Sequence, residues 1–292
     1  MPRIALATYD PGTRPSKDRD LPVLVEALRA AGADAVAAPW DDPDVDWAGF
    51  DLVVVRSTWD YSWRAAEFSA WVHKCGTLTR VANPPEVIRW NADKRYLGEL
   101  AAAGVPTVPT RYVAPGEAAG LPRDHEYVVK PVSGAGARFA ARYTPREHET
   151  AAAHVARMHD EGLTAMVQPY LADIDVTGER ALQFFGGRLL HASRKRAVLA
   201  PGTAYDAEKV AHPDLQVWQP AEAELAVAER ALAAVPGAPE LLYARVDLVD
   251  GPDGRPVVME LELVEPNLFL FLHPGSVPRV AEAILTEAGR RP

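Results

Sequence analysis

The segment Tyr127 to Phe139, YVVKPVSGAGARF, reads as an apolar strand that delivers one lysine, Lys130, to a loop of small residues that includes Ser133. Small residues let backbone N–H groups approach phosphate oxygens closely while the lysine neutralises charge. The spacing is neither GxxxxGKS/T nor GxGxxG, which excludes a Walker A loop and a dinucleotide-binding turn. A hairpin lysine beside a flexible turn would give the same pattern, so the segment gains meaning only from its company.

A second segment, Ala244 to Glu262 (ARVDLVDGPDGRPVVMELE), reads as two strands around a turn from Asp250 to Pro256. Asp247 lies before the turn, and Glu260 and Glu262 share one face of the return strand because side chains alternate with period two. Three carboxylates converging in an apolar hairpin repel one another unless a cation compensates them. Oxygen-only ligands favour a hard ion, and Mg²⁺ bridging nucleotide phosphates is the usual client. A solvated hairpin face with ordinary surface carboxylates is the competing explanation.

Both segments need a scaffold, and the chain supplies one in two textures. The first part alternates strand and helix: Ile4 to Thr8, a helix around Leu21 to Ala31 stopped by Gly32, Ala35 to Ala38, and Leu52 to Val55. This pattern predicts a parallel sheet with helices on its faces. Ligands bind at the carboxyl ends of such strands, which points to Arg56, Ser57, Thr58, Trp59 and Asp60 as substrate contacts. Their guanidinium, hydroxyls and aromatic wall suit a small amino acid-type substrate, although strand-end capping around a buried Trp would explain them too. Asn83, Pro84 and Pro85 punctuate the end of this lobe, and a helix from about Asp93 to Ala103 ends at Gly104.

From residue 109 the texture becomes antiparallel. Strands are predicted at Thr110 to Ala114, Tyr127 to Val132, Phe139 to Tyr143, Ala165 to Leu171, Arg180 to Phe185 and Leu189 to Arg194, with a helix near Arg146 to His159. Gly186 and Gly187 make a tight hairpin. Residues 198 to 219 have little periodicity and predict a long functional loop or lid. A helix over Glu222 to Ala234 leads into the acidic hairpin.

Composition narrows the classes. At 292 residues the chain suits one compact unit of two or three lobes. A net charge of -9 offers no attraction for nucleic acid or an anionic membrane. The lone Cys75 precludes an internal disulfide and belongs on a helix with Phe68 and Trp71; with no signal-peptide pattern or membrane span, a cytoplasmic protein is expected. A small-molecule substrate is the expected partner, and a homodimer stays open.

Together these segments resemble the ATP-grasp superfamily, especially D-alanine-D-alanine ligase, glutathione synthetase and their relatives, over almost the whole chain. The resemblance implies an α/β ATP-grasp fold: an N-terminal parallel α/β lobe (1–90), then central (91–172) and C-terminal (173–292) α+β lobes holding ATP between them. It also implies one or two Mg²⁺ ions. Lys94, in WNADKRYLGELAAAGVPTVPT, looks like the first ATP lysine of the family and Lys130 like the second. Met166 to Leu171 (MVQPYL) resembles the adenine-binding hinge, which makes Gln168, Tyr170 and Leu171 base contacts, and Glu179 resembles the ribose-binding acid. Arg245 and Asp247 match an RxD pattern whose arginine stabilises phosphoryl transfer. The ExN metal pattern stands altered as Glu260-Leu261-Glu262, with Glu265-Pro266-Asn267 a competing match downstream. The earlier pair is preferred because the hairpin presents it opposite Asp247, which leaves Asn267 as a substrate contact. Gly202 to Lys209 resembles a mobile loop whose lysine reaches the terminal phosphate, and Lys195 is a further basic candidate.

This resemblance implies a ligase that activates a carboxylate as an acyl phosphate for attack by nitrogen. RSTWDY (Arg56 to Tyr61) with ELELVEPNLF (Glu260 to Phe269) is similar to a group of compact ATP-grasp enzymes of specialised metabolism that includes cycloserine synthetase. That subtype implies antibiotic biosynthesis by ring closure of O-ureido-D-serine. An intermolecular amino acid or dipeptide ligase, a small-molecule kinase and a nonenzymatic nucleotide-binding module stay open. Asp247→Asn or Glu260→Gln is expected to abolish turnover with much less effect on folding, because each removes a metal charge from an intact hairpin.

Overall fold

The apolar segments of the N-terminal lobe pair as a parallel sheet. In the computed structural model, which describes residues 1–12, 18–134, 138–197, 199–200, 202–203, 205 and 214–290, this lobe runs β1 (Arg3–Thr8), α1 (Leu21–Ala30), β2 (Asp34–Pro39), β3 (Leu52–Ser57), α2 (Ala65–Leu78) and β4 (Val81–Ala82). The strands lie in the order β2-β1-β3-β4, all parallel. Ile4 to Ala7 and Leu52 to Val55 are wholly buried, as both faces of a covered parallel sheet require. One face carries α1. On the other, Trp40, Trp47, Phe68 and Trp71 pack with Cys75, whose thiol burial pushes up to about 12.

Two short helices leave this lobe, α3 (Pro85–Asn91) and α4 (Tyr96–Ala102). The sequence predicted only one, opening at Asp93. Pro85 instead starts a helix of its own, since the missing N–H of a first-turn proline costs nothing. Residues 93–95 stay outside α4, and the Lys94 N–H donates to Val132 O at 2.8 Å. That bond fixes the Lys94 backbone against the end of the strand that carries Lys130.

The central sheet comprises β5 (Arg111–Val113), β6 (Tyr127–Pro131), β7 (Ala141–Tyr143) and β8 (Ala165–Pro169), antiparallel in the order β5-β8-β6-β7. Helix α5 (His148–Asp160) covers one face through Ala151, Val155 and Met158. After α6 (Ile174–Thr177), the third sheet takes β9 (Glu179–Phe185), β10 (Arg188–Lys195), β11 (Leu215–Trp218), β12 (Tyr243–Asp250) and β13 (Pro256–Glu262), in the antiparallel order β11-β10-β9-β12-β13. Gly186 and Gly187 both take positive φ, 54° and 73°, as a two-residue hairpin turn demands. Strand β11 falls within the predicted loop 198–219: Leu215–Trp218 pairs with Ala192–Lys195, and edge pairing gave it no sequence alternation to read. Helix α7 (Glu222–Ala233) packs on this sheet together with α4, while α8 (Val277–Ala288) shares a core with α1 and β1. No helix among the described residues is long and apolar enough to cross a membrane.

Buried side chains tie the lobes through the backbone. Asn83, with 0% exposure, donates from Nδ2 to Tyr243 O (2.9 Å) and Leu263 O (2.8 Å) and accepts the Leu242 N–H on Oδ1 (2.9 Å). Asn91 does the same from the far end of α3, donating to Leu261 O (2.8 Å) and accepting from Leu263 N (2.6 Å). Both hold the end of β13, where the acidic pair sits. Asn83→Ala strands three buried backbone groups, so it should lower the unfolding free energy by about 3 kcal/mol. Urea titration checks this, and a variant within 1 kcal/mol of the parent, at about the worth of one ordinary hydrogen bond, would refute the tie.

Candidate active site

A cavity of about 570 Å³ lies between the central and third sheets, with the N-terminal lobe closing one end. Lys130 and Gln168 face it from the central sheet, Arg245, Asp247 and Glu260 from the third, and Trp59 and Tyr61 from the N-terminal lobe.

The charged groups are positioned by strand pairing. In the β12/β13 ladder Arg245 stands opposite Glu262 and Asp247 opposite Glu260, and a bulge follows at Asp247/Leu248. Alternate residues share a face, so all four point the same way. Asp247, Glu260 and Glu262 each offer an oxygen, and these oxygens lie within 4.8 Å of one another. Arg245 forks onto Asp247 with Nε to Oδ1 and Nη2 to Oδ2, both at 2.8 Å, and also reaches Glu262. Lys195 Nζ donates to Asp247 Oδ2 at 2.7 Å and pairs with Glu179. Lys94 Nζ lies 3.1 Å from Glu260 Oε1 and donates to Gly134 O at 2.5 Å. Lys130 has no ion-pair partner among the described residues.

These contacts divide the carboxylates into two kinds. Burial disfavours the Asp247 charge, but Arg245 and Lys195 outweigh it and hold this carboxyl well below the usual range. Glu260 is likewise held down, against burial, by Lys94 and Lys130. Burial, with Glu260 and Asp247 behind it, pushes Glu262 up to about 8 despite Arg245. Glu179 is pushed up to about 7 by burial against the pull of Lys195. Among the cations, burial lowers Lys130, whereas Glu260 overcomes burial at Lys94 and raises it.

The expected site residues fall into three groups. Lys94, Lys130, Gln168, Tyr170, Leu171, Glu179, Lys195, Arg245, Asp247, Glu260, Glu262, Trp59 and Asn267 all line the cavity. Within this set, Glu179 and Lys195 engage each other, and Gln168 donates to Thr110 Oγ1 at 2.8 Å. Ser133 does not line it; the neighbouring Gly134 does. Lys209 lies outside the described residues.

Arg56, Ser57, Thr58 and Asp60 also stand off the cavity. Arg56 is buried and donates from Nη2 to Pro266 O at 2.7 Å, and Ser57 Oγ meets Thr8 Oγ1 at 2.8 Å. Asp60 accepts from Trp40 Nε1 at 2.9 Å and from Arg64. Strand β3 carries two residues further than the apolar run suggested, so this stretch stays within the sheet and its first turn. Lining residues missed by the sequence include Asn91, Tyr96, Phe269 and Phe271, which belong to helices and a loop without a chemical motif. Positive φ at Phe269 (54°) leaves no mark in sequence.

This architecture superposes on the crystal structure of D-cycloserine synthetase DcsG with a TM-score of 0.89 and 38% identity, covering 98% of this chain and 99% of that one. A family model described as the N-terminal domain of D-cycloserine synthetase DcsG matches residues 4–83. The cycloserine biosynthesis protein DcsG of Streptomyces lavendulae is 40% identical over 288 residues, spanning 91% of this chain and 93% of its own. The chain belongs to the DcsG family. D-alanine–D-alanine ligase from Bacillus anthracis, solved with ATP, shares the fold at a TM-score of 0.69 and 15% identity over 99% of this chain and 97% of that one. This DcsG-family chain therefore has the ATP-grasp fold and is an ATP-dependent ligase.

The raised carboxyls give the DcsG-family protein a signed pH dependence. Glu179 and Glu262 hold protons up to about 7 and 8 in the folded chain, whereas an ordinary glutamate loses its proton near 4.5. Between those values the native state binds more protons than the unfolded one, so stability falls as pH rises. His154 and His191, held near 4 by burial, act in the opposite sense but only below 6.5. Thermal midpoints with EDTA present should therefore decline from about pH 6.5 to pH 8. A midpoint that climbs across that window would overturn the assignment.

Proposed function

We propose that this chain binds ATP with Mg²⁺ in the cavity, converts the carboxyl group of O-ureido-D-serine to an acyl phosphate, and closes the ring of D-cycloserine by attack of the nitrogen bonded to oxygen. The observation that carries the reading is one cavity lined both by Lys94 and Lys130 and by three carboxylates whose oxygens lie within 4.8 Å of one another. The relatives' names supply the product.

The donor set fits a hard divalent cation. Its three ligands are all carboxylate oxygens, and one of them, Glu262, resists ionisation until positive charge arrives. Asp247, Glu260 and Glu262 would hold one or two Mg²⁺ ions, which would supply positive charge to offset that of the phosphates during transfer. Lys130, lacking an ion-pair partner among the described residues, is available to hold phosphate. Lys94 joins it while steadying Glu260. Arg245 faces the cavity from beside Asp247 and would stabilise charge developing on the carboxyl oxygen. Gln168, Tyr170 and Leu171 would contact the base. Glu179, expected at the ribose, holds Lys195 near Asp247 and so contributes to the charge balance of the metal ligands.

Ring closure within one molecule needs no second-substrate pocket and gains from high effective molarity. The attacking nitrogen carries a carbamoyl group, which must leave by hydrolysis if the ring nitrogen is to bear only hydrogen. Incubation with ATP, Mg²⁺ and O-ureido-D-serine should yield ADP, phosphate and a product of cycloserine mass. Nucleotide hydrolysis without ring product, or a stable phosphorylated substrate, would reject ligation of this substrate.

The buried pairing alters one expectation from the sequence. Asp247 is 1% exposed and neutralises both Arg245 and Lys195, whereas the Glu260 side chain is 23% exposed. Both Asp247→Asn and Glu260→Gln should lose at least about two orders of magnitude in kcat. Only Asp247→Asn should also lose about 3 kcal/mol of stability, because it leaves two buried cations short of a partner. Steady-state kinetics combined with urea titration separates the two effects; equal stabilities would contradict the pairing argument.

A further inference from the structure

Residues 265–271 cross the cavity as a strap between β13 and α8, and we infer that this strap is the amino-acid recognition element, with Arg56, Gln183, His191 and Asp20 as its positioning residues. The inference rests on the proposed activity only for the identity of the amino acid.

All four side chains grip the strap by its main chain. Arg56 donates to Pro266 O at 2.7 Å, and Gln183 Nε2 donates to Asn267 O at 2.9 Å. His191 Nε2 donates to Leu268 O at 2.7 Å, which leaves Nδ1 to accept from Ser276 Oγ at 2.8 Å. Asp20 accepts the Leu268 N–H at 3.0 Å on one oxygen and the Leu270 N–H at 2.8 Å on the other. These partners come from the residue before α1 and from β3, β9 and β10, so every lobe face around the strap is represented except the central sheet. Arg56, Gln183 and Asp20 are buried.

Because these bonds go to main chain, the side chains at 267–271 sort by alternation. Leu268 and Leu270 enter the core beside α1 and α8, whereas Asn267, Phe269 and Phe271 line the cavity. Phe269 is held at a φ of 54°, a conformation rare for an aromatic residue that persists only where the surroundings over-determine it. Its carbonyl accepts from Leu272 N at 2.9 Å, and its ring lies 5.6 Å from the Arg245 guanidinium. Asn267 beside the Phe269 ring that faces Arg245, with Phe271 further along under Arg19 at 3.8 Å, makes a wall that suits a small amino acid with a short methylene stem and a polar tail. Displacing such a wall by about 1 Å is enough to cost up to two orders of magnitude in rate.

The test uses the full chain and the variants Arg56→Ala, Arg56→Lys and Gln183→Met, the last keeping volume while removing the donor. Hydrogen exchange of peptides covering 266–272 should accelerate about tenfold in Arg56→Ala and Gln183→Met, with central-sheet peptides unchanged. KM for O-ureido-D-serine should rise about tenfold while the affinity for Mg²⁺-ADP stays within about twofold, and Arg56→Lys should recover part of the loss. Unchanged exchange in the strap with unchanged KM overturns the inference. So does a parallel fall in nucleotide affinity, which signals general loss of structure. A parent chain inert toward O-ureido-D-serine rejects the substrate alone, and the exchange result then decides the positioning role.

Discussion

A carboxylate as deeply buried as Asp247 is tolerable only where its charge is met, and here it is met twice. Arg245 binds it as a fork and Lys195 from the side, each at hydrogen-bonding distance. Taking such groups from water costs several kcal/mol per ion, and only good geometry with saturated hydrogen bonds repays it. The geometry comes from the antiparallel ladder, which puts Arg245 and Asp247 two residues apart on one face of β12 and brings Lys195 across from β10. The rest of the charge distribution follows from this fixed unit. Burial holds the protons of Glu262 and Glu179, because Arg245 and Lys195, shared with Asp247, offset it only in part.

The second constraint is that the three sheets must keep register with one another to within the tolerance of phosphoryl chemistry. The protein achieves this mainly through side chain to main chain hydrogen bonds. Asn83 and Asn91 lock the end of β13, and the Tyr96 hydroxyl accepts the Leu261 N–H at 3.0 Å. Bonds of this kind fix backbone position without specifying neighbouring side chains. That separation lets one fold persist while side chains diverge: the D-alanine–D-alanine ligase structure shares the architecture at 15% identity.

The acidic hairpin carries one charge more than the ExN pattern implied by the resemblance to the wider ATP-grasp superfamily. Where an asparagine is expected after Glu260, this chain has Glu262, and the structure brings Glu260 and Glu262 to Asp247, while Asn267 lies further along on the strap. A third carboxylate adds repulsion to the hairpin, which Arg245 relieves only in part. The same excess charge favours a divalent cation more strongly than an amide would, at the expense of the metal-free fold at alkaline pH.

The alternation of apolar and polar residues was enough to determine the parallel N-terminal sheet, the antiparallel remainder and the common face of Glu260 and Glu262, because period-two and period-3.6 patterns are local. The resemblance implied phosphate roles for Lys130 and Lys94, and both line the cavity. Of the stretch Arg56 to Asp60 only Trp59 lines the cavity, because strand position says where a ligand site lies but not which side chains turn toward it. Arg56 has the chemistry of a carboxylate binder, yet Pro266, 210 residues away, takes its hydrogen bond. Strand β11 exists because β10 offers an open edge, not because its four residues alternate. The strap, its left-handed Phe269 and the engagement of Lys195 by Glu179 and Asp247 are products of packing between distant segments. Sequence determined which charges and hydrogen-bonding groups were present; only the tertiary structure decided which of them neutralise one another and which remain turned toward the cavity, since burial and distance set both.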